Sequence, residues 1–325
     1  MERERFERHL SDPRGRGVVP EGAAVGSAGG APCGDLVRVA LLVREGRIAQ
    51  ASFDAEGCGA TIAAGSACVE LVEGASFIDA ARIGANAIDA ELGGLSPGKR
   101  HAADLVSDAL HRALSGAAAG SGEALAEADP GRVLVALSGG VDSAVAALLE
   151  RDAGADVVAV TLELWADAAG DGTKSCCSAE AVVRARALAH SLDMPHLTLD
   201  LREGFRAAVV SDFLAEHDRG RTPNPCVRCN GMLRFDAMLD LAGRLGAARL
   251  ATGHYARVEH DPDGPVLALA RDASKDQTYM LAALPADRLA RVWFPLGELT
   301  KVEVRELARR AQRTRTRTRP TCSRG

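Results

Sequence analysis

The chain has 325 residues, 47% apolar but only 3% aromatic, so its cores must be built from Ala, Leu and Val; the length suits two domains. Its net charge of −5 excludes a uniformly basic nucleic-acid binder, yet nine Lys/Arg against two Glu follow from Lys301 onward, so a local basic groove stays open to an RNA partner. No apolar run reaches the ~18 residues of a membrane span and MERERFERHL has no apolar signal core, so no membrane partner and a cytoplasmic location are expected, with the eight cysteines reduced and free for metal or sulfur chemistry.

Residues 1–30 are charged and then Gly/Ala-rich, and are expected as a mobile tail. Residues 31–115 hold alternating segments, LVRVALLV and RIAQASFDA, followed by helical patterns, which predicts a small α+β unit. Within it, Cys33 and Asp35 precede a strand, Cys58 sits between two glycines at the head of a helical run, and His101 begins a further helix. Cys, Asp and His are ligand types for zinc or iron, although a lone Cys is commonly a small buried hydrophobe. Residues 116–131, GAAAGSGEALAEADPG, read as a linker.

From residue 132 the pattern changes. Strands over 133–137, 156–162, 196–200 and 248–252 alternate with helices over 143–152, 178–192, 203–217 and 230–245, which predicts an α/β fold with a doubly wound parallel sheet and ligands at the carboxyl ends of its strands. SGGVDS (138–143) lies between the first strand and the first helix. A glycine turn there aims backbone N–H groups and a helix dipole at one point, which suits a phosphate. The GK[ST] ending of the lysine-bearing phosphate loop is absent. Cys176-Cys177 follow the second strand, as sulfur-handling groups, a third cluster ligand, or two small residues at a helix start. GRTPNPCVRCN (220–230) places Cys226 and Cys229 in a C-x-x-C pair leading into a helix near Asn230, where thiol pKa values fall; half a zinc site and a redox pair are the other readings. ATGHYARV (251–258) sets Gly253 and His254 at the end of a strand, and DASKDQTYML (272–281) sets Lys275, Asp276 and Gln277 in a polar loop.

SGGVDS resembles the loop of the PP-loop ATP pyrophosphatases. Together with GRTPNPCVRCN, ATGHY, SKDQTYML and FPLGELTKVEVRELA (294–308), in that order, it makes residues 132–312 similar to the tRNA-specific 2-thiouridylases. The resemblance implies ATP with Mg2+, activation of the 2-oxygen of a tRNA wobble uridine as an adenylate, and its replacement by sulfur from a cysteine persulfide. A cysteine desulfurase or other donor would supply that sulfur. By position, Ala136, Leu137, Ser138, Gly139, Gly140, Val141, Asp142 and Ser143 would hold ATP, with Leu162 at the adenine and Gly253 beside the nucleotide. Asn224, Pro225 and Cys226 would meet the target base, Cys229 would be the nucleophile, and His254, Lys275, Asp276 and Gln277 would touch tRNA.

The chain departs from that family at two places. Cys226 stands where many members have Asp, which resembles the iron–sulfur variant of such enzymes and implies Cys226 and Cys229 as two ligands of a [4Fe–4S] cluster. The family's persulfide-cysteine stretch is replaced by RTRTRTRPTCSRG, so residues 313–325 are expected as an aberrant tail with Cys322 incidental to it. Upstream, residues 31–115 resemble the IscU/NifU-N scaffolds, which implies Cys33, Asp35, Cys58 and His101 as ligands of zinc or iron, and delivery of sulfur or a cluster to the fused thiolase. Ala102 takes the place of that family's third cysteine, and Cys68 is not at a ligand position. Two competing functions are a different PP-loop synthetase and a non-enzymatic iron–sulfur carrier with a decayed nucleotide module.

Overall fold

A computed structural model describes residues 2–29, 34–119, 122–164 and 179–318, with side chains except at 2, 3, 179 and 313–318. Cys33, Cys176, Cys177 and Cys322 lie outside the described residues.

Residues 2–29 are not a tail. ERERFERHLS forms α1 (Glu2–Ser11), and AVGSAG forms β1 (Ala24–Gly29), antiparallel to β2 (Leu36–Arg44). Phe6, His9 and Leu10 fall on one side of α1 at helical spacing. Phe6 packs on the core, and the buried His9 ring bonds Ser66 Oγ at 2.9 Å. β1 is made of small residues because it lies against α5 (His101–Ala119): a Cβ on Gly26 would stand 2.2 Å from Ala109 O. β3 (Arg47–Glu56) completes a sheet ordered β1-β2-β3. α2 (Gly59–Val72) lies on it as an Ala-rich helix, with Gly65 where any side chain would strike the Phe53 ring. The short α3 (Phe77–Ala80) and α4 (Ala85–Glu91) close this domain.

The expected linker is largely ordered. α5 runs through Ala119, and β4 (Asp129–Ala136) starts before the predicted strand. Between them Leu125 is buried, and its N–H donates to Arg244 O at 2.7 Å.

β4 leads through the SGGVDS loop into α6 (Val141–Asp152), and β5 (Asp156–Glu163), α7 (Ala179–Ser191) and β6 (His196–Asp200) follow. A long helical stretch comes next: α8 (Arg202–Phe205), a π-helical turn (Arg206–Val210) and α9 (Ser211–Asp218). α10 (Pro225–Cys229) passes through a second π-helical turn (Asn230–Arg234) into α11 (Phe235–Arg244). β7 (Ala247–Thr252), the hairpin β8 (Arg257–Asp261) and β9 (Gly264–Ala268), then α12 (Thr278–Leu281), α13 (Ala286–Leu289), β10 (Val292–Trp293) and α14 (Lys301–Thr318) complete the chain. The α14 helix continues into the Arg–Thr stretch expected as an aberrant tail. Arg is a good helix former, and a helix already nucleated by the packed turn at Val304 propagates at little cost.

The main sheet is parallel throughout, ordered β10-β7-β4-β5-β6. Val133 and Val135 of β4 face Ala147, Ala185 and Ala189, whereas Leu134 faces Phe235, Met238 and Leu239. Both faces are thus covered by helices, as the apolar runs of its strands require. The chain leaves β4 to one side for β5 and β6 and returns on the other side as β7. This topological switch opens a crevice at the carboxyl ends of β4 and β7.

The first domain covers the open β6 edge. His196 N–H donates to Ala81 O at 3.0 Å, and Arg186 reaches Asp108 of α5 at 2.8 Å. His111, His190 and His196 cluster in this contact, with ring centroids 5.0 Å (His111–His190) and 6.3 Å (His111–His196) apart. Arg244 donates to the carbonyls of Ala117, Ala118 and Glu123, placing a cation at the C-terminus of α5 where the helix dipole favours it.

Candidate active site

The crevice is occupied by the SGGVDS turn. Gly139 has φ +75°, a conformation that favours glycine, and Gly140 is the extended N-cap of α6. Ser143 Oγ accepts from Ser138 N–H and donates to Gly140 O, both at 3.1 Å, which locks the turn. Gly253 is set by packing: a Cβ there would lie 2.8 Å from Ser143 N. Its bareness lets the end of β7 approach the first turn of α6.

A cavity of about 220 Å³ follows from this arrangement. Ala136, Leu137, Ser138, Asp142 and Ser143 line it from the loop, Leu162 from β5, Gly253 and His254 from beyond β7, and Gln277, Met238 and Arg234 from the remaining side. Gly139, Gly140 and Val141 shape the turn without lining that cavity. Asp142 Oδ1 accepts from Tyr255 Oη (3.1 Å) and Lys301 Nζ (2.5 Å). A larger cleft of about 690 Å³ lies between the domains, but its Arg112 and Arg186 already bind Asp108, and its Arg202 binds Asp200.

The residues expected at tRNA divide. His254 is half-buried, packed on Phe235 and Phe294 and bonded to Thr252 Oγ1 at 2.8 Å. Its pKa is pushed down to about 4 by burial and by the charge of Arg234, so it is a neutral wall of the nucleotide cavity. Gln277 lines the same cavity, and its Oε1 accepts from Tyr255 N–H at 3.0 Å. Asp276 is spent on the chain itself, accepting from Ala270 N–H, Thr278 N–H and Thr278 Oγ1. Lys275 is exposed.

The cysteine helix begins earlier than expected, at Pro225, so Cys226 and Cys229 lie within α10. Asn224 is its N-cap, with Oδ1 accepting from Cys226 N–H (3.1 Å) and Val227 N–H (3.3 Å), and Pro225 fills the first helical position, where a missing N–H costs nothing. Cys226 is exposed and Cys229 is buried. Asn224 and Pro225 border a separate cleft of about 510 Å³ with Phe213, Val227, Arg228 and Met232. Among the described residues no third Cys, His, Asp or Glu joins these two thiols, so they do not form a cluster site by themselves.

The first domain differs. The ligand atoms of Asp35, Cys58 and His101 all lie within 4.8 Å of one another. Thr61 Oγ1 donates to Asp35 Oδ2 at 2.5 Å, the leading cause holding the Asp35 carboxyl below its usual range. Burial would raise the Cys58 thiol, but hydrogen bonds from Thr61 and from the Thr61 and Ala60 N–H groups at the start of α2 bring it below its ordinary value. His101 Nε2 is buried without a partner among the described residues, and Gly57 is bare where a Cβ would fall 2.6 Å from the Asp35 carboxyl carbon. An orphaned imidazole nitrogen beside a thiol and a carboxylate fits a zinc or iron ion. Ala102 is buried, and Cys68 is fully buried with its thiol pushed up to about 12 by that burial, so neither adds a ligand.

Two functional features escaped the sequence reading. Arg234 belongs to no motif quoted above, and of the three interface histidines His111 lies some eighty residues before His190 and His196; only the fold assembles them.

A glycine loop at the switch point of a parallel sheet, joined to a small domain bearing a Cys/Asp/His triad, defines a PP-loop α/β protein fused to a scaffold-type α+β domain. The chain belongs to the family described as tRNA methyl transferase HUP domain, whose profile matches residues 131–322. The profile of the NifU-like N terminal domain matches residues 1–119. The chain is 47% identical over 310 residues to the bifunctional protein NifU/MnmA of Rubrobacter xylanophilus, covering 92% of this chain and 62% of that one. It is 47% identical over 179 residues to the tRNA-specific 2-thiouridylase MnmA of Acidithiobacillus ferrooxidans, 55% of this chain and 49% of that one. The chain therefore spans about half to three-fifths of the length of these relatives. A solved NifU-like N-terminal domain from Brucella abortus aligns at 25% identity and TM-score 0.24, covering 34% of this chain and 76% of its own.

Proposed function

We propose that the chain is the nucleotide-activating part of a tRNA-uridine 2-sulfurtransferase, joined to a metal-holding scaffold domain. The observation that carries this reading is the locked Ser138–Ser143 turn at the switch point, facing Leu162, Gly253 and Gln277 across one cavity. ATP with its Mg2+ would lie there, its distal phosphates on the turn and the N-terminus of α6. The uridine 2-oxygen attacks the α-phosphorus, the bond from that phosphorus to the bridging oxygen breaks, and pyrophosphate leaves with that electron pair. The N3 proton passes to solvent. An amide-like carbonyl oxygen thus becomes a leaving group.

The terminal sulfur of a cysteine persulfide then attacks C2 and AMP departs. A second thiolate attacks the inner sulfur, which forms a disulfide and frees the 2-thiocarbonyl. Cys229 and Cys226 are the thiols that the described residues of this domain offer, on a helix that continues directly into the cavity wall. In the scaffold domain Asp35, Cys58 and His101 would hold zinc or iron, which would keep the Cys58 sulfur as thiolate. The partners on this reading are tRNA and a sulfur donor of the desulfurase type.

The test is incubation of the chain with ATP, Mg2+, tRNA transcript and a persulfide donor, followed by nucleoside mass spectrometry. ATP-dependent 2-thiouridine supports the reading. ATP turnover that is indifferent to tRNA favours a different synthetase, and neither product favours the carrier.

A further inference from the structure

Asp142 and Arg234 are the two charged residues that line the loop cavity. Asp142 is already neutralised, since its Oδ1 binds Lys301 Nζ and Tyr255 Oη. Among the described residues Arg234 has no such partner, and its buried Nε makes no hydrogen bond there. The neighbouring His254 is kept neutral and supplies no counter-charge. A guanidinium in a cavity whose one carboxylate is already paired elsewhere is in deficit, and the deficit is met when an anionic ligand enters.

Its place in the chain narrows which anion. Arg234 ends the π-helical turn Asn230–Arg234, which follows Cys229 directly and runs into α11. Such turns recur at functional sites because they re-aim side chains within a continuous helix. The SGGVDS turn and the start of α6 approach the cavity from one side, and Arg234 approaches from the helix that carries the thiols. The phosphate between a loop that grips the departing pyrophosphate and a helix that bears the sulfur nucleophile is the one that changes hands.

Resting on the nucleotide reading above, we propose that Arg234 is a catalytic residue that binds the α-phosphate of ATP and of the adenylate. Its planar fork can engage two phosphate oxygens as charge builds at the α-phosphorus, which a lysine cannot match in geometry. Because Arg234 and Cys229 share one helix, the group that steadies the AMP moiety is tied mechanically to the group that expels it.

The test is calorimetric titration of the full chain and its Arg234→Gln and Arg234→Lys variants with ATP, AMP, pyrophosphate and adenosine, with melting curves to confirm folding. Arg234→Gln is expected to weaken ATP and AMP about 10- to 100-fold, and Arg234→Lys to recover part of that loss. Adenosine and pyrophosphate are expected to stay within about twofold of wild type, far less than one decade of affinity. Unchanged AMP affinity, a loss falling on pyrophosphate instead, or an equal loss for adenosine would each overturn the assignment. A wild-type chain that binds no ATP would overturn the nucleotide reading itself and the assignment with it, a result distinct from all of these.

Discussion

Two cysteine-bearing regions of this molecule, around Cys58 and around Cys226, share a place near a helix start and differ in geometry. Cys58 and Cys226 each stand at or near the start of a helix, Cys58 as the N-cap of α2 and Cys226 one residue after Pro225 opens α10. Around Cys58 three elements converge, so that Asp35, Cys58 and His101 present ligand atoms within 4.8 Å. Around Cys226 nothing converges: it is exposed, Cys229 one turn on is buried, and no third ligand joins them among the described residues. A thiol near a helix start does not by itself make a metal site; convergence of several elements does. The first region has the geometry of a metal site, and the second does not.

The largest expected effect separates them directly. The wild-type chain, reconstituted with zinc and desalted, should retain the ion, and Cys58→Ala should weaken binding by more than about 100-fold because it removes a direct ligand rather than an outer-shell partner. Cys226→Ala should leave the stoichiometry unchanged. Elemental analysis of the three proteins checks this, and zinc lost from the Cys226 variant instead would invert the comparison.

A second expected effect concerns the contact that joins the two regions. Thr161 Oγ1 donates to Leu137 O (2.6 Å) and so accepts from His196 Nε2 (2.8 Å); His111 Nε2 and His190 Nε2 donate to the carbonyls of Ile83 and Ala81. Nδ1 of His111 and of His196 is then buried without an acceptor, so a second proton there has no partner. Burial lowers all three pKa values, those of His111 and His196 well below the ordinary 6.5. In the unfolded chain these rings take up protons as pH falls through the ordinary value, while the folded state does not. Stability is therefore full above about pH 6.5 and falls as pH drops below it, by up to ~1.4 kcal/mol per pH unit for each histidine. Denaturant titrations between pH 7.5 and 5.5 should show that slope, and His196→Gln should flatten it. A pH-independent midpoint would mean that these rings are hydrated and the domains loosely joined.

Much of this molecule is legible in its sequence, and the exceptions have physical reasons. The apolar runs at 133–137 and 156–162 read as buried parallel strands because both faces of the sheet are covered, and the observed strands agree to within a few residues. ERERFERHLS was opaque because a helix that buries little more than Phe6 and His9 carries almost no apolar period. AVGSAG was opaque because a strand pressed against α5 needs small residues, which look like a linker. At the site, the turn, Leu162 and Gly253 border one cavity at the carboxyl ends of the strands, the place that the alternating strand–helix pattern predicts for a ligand. Arg234 was not, because a lone arginine acquires meaning only when folding leaves it without a counter-charge. Asn224 was read as a base contact, but its Oδ1 serves the helix start, the commonest local use of Asn in that position.

The central claim is that the Ser138–Ser143 turn supports cleavage between the α- and β-phosphates of ATP. The most direct measurement is the fate of ATP labelled in parallel runs at the α- and the γ-phosphate, incubated with the chain, Mg2+, tRNA transcript and a persulfide donor, resolved by thin-layer chromatography. AMP and pyrophosphate are expected in equal amounts, formed only when tRNA is present. ADP and inorganic phosphate, or AMP formed equally well without tRNA, would contradict the claim.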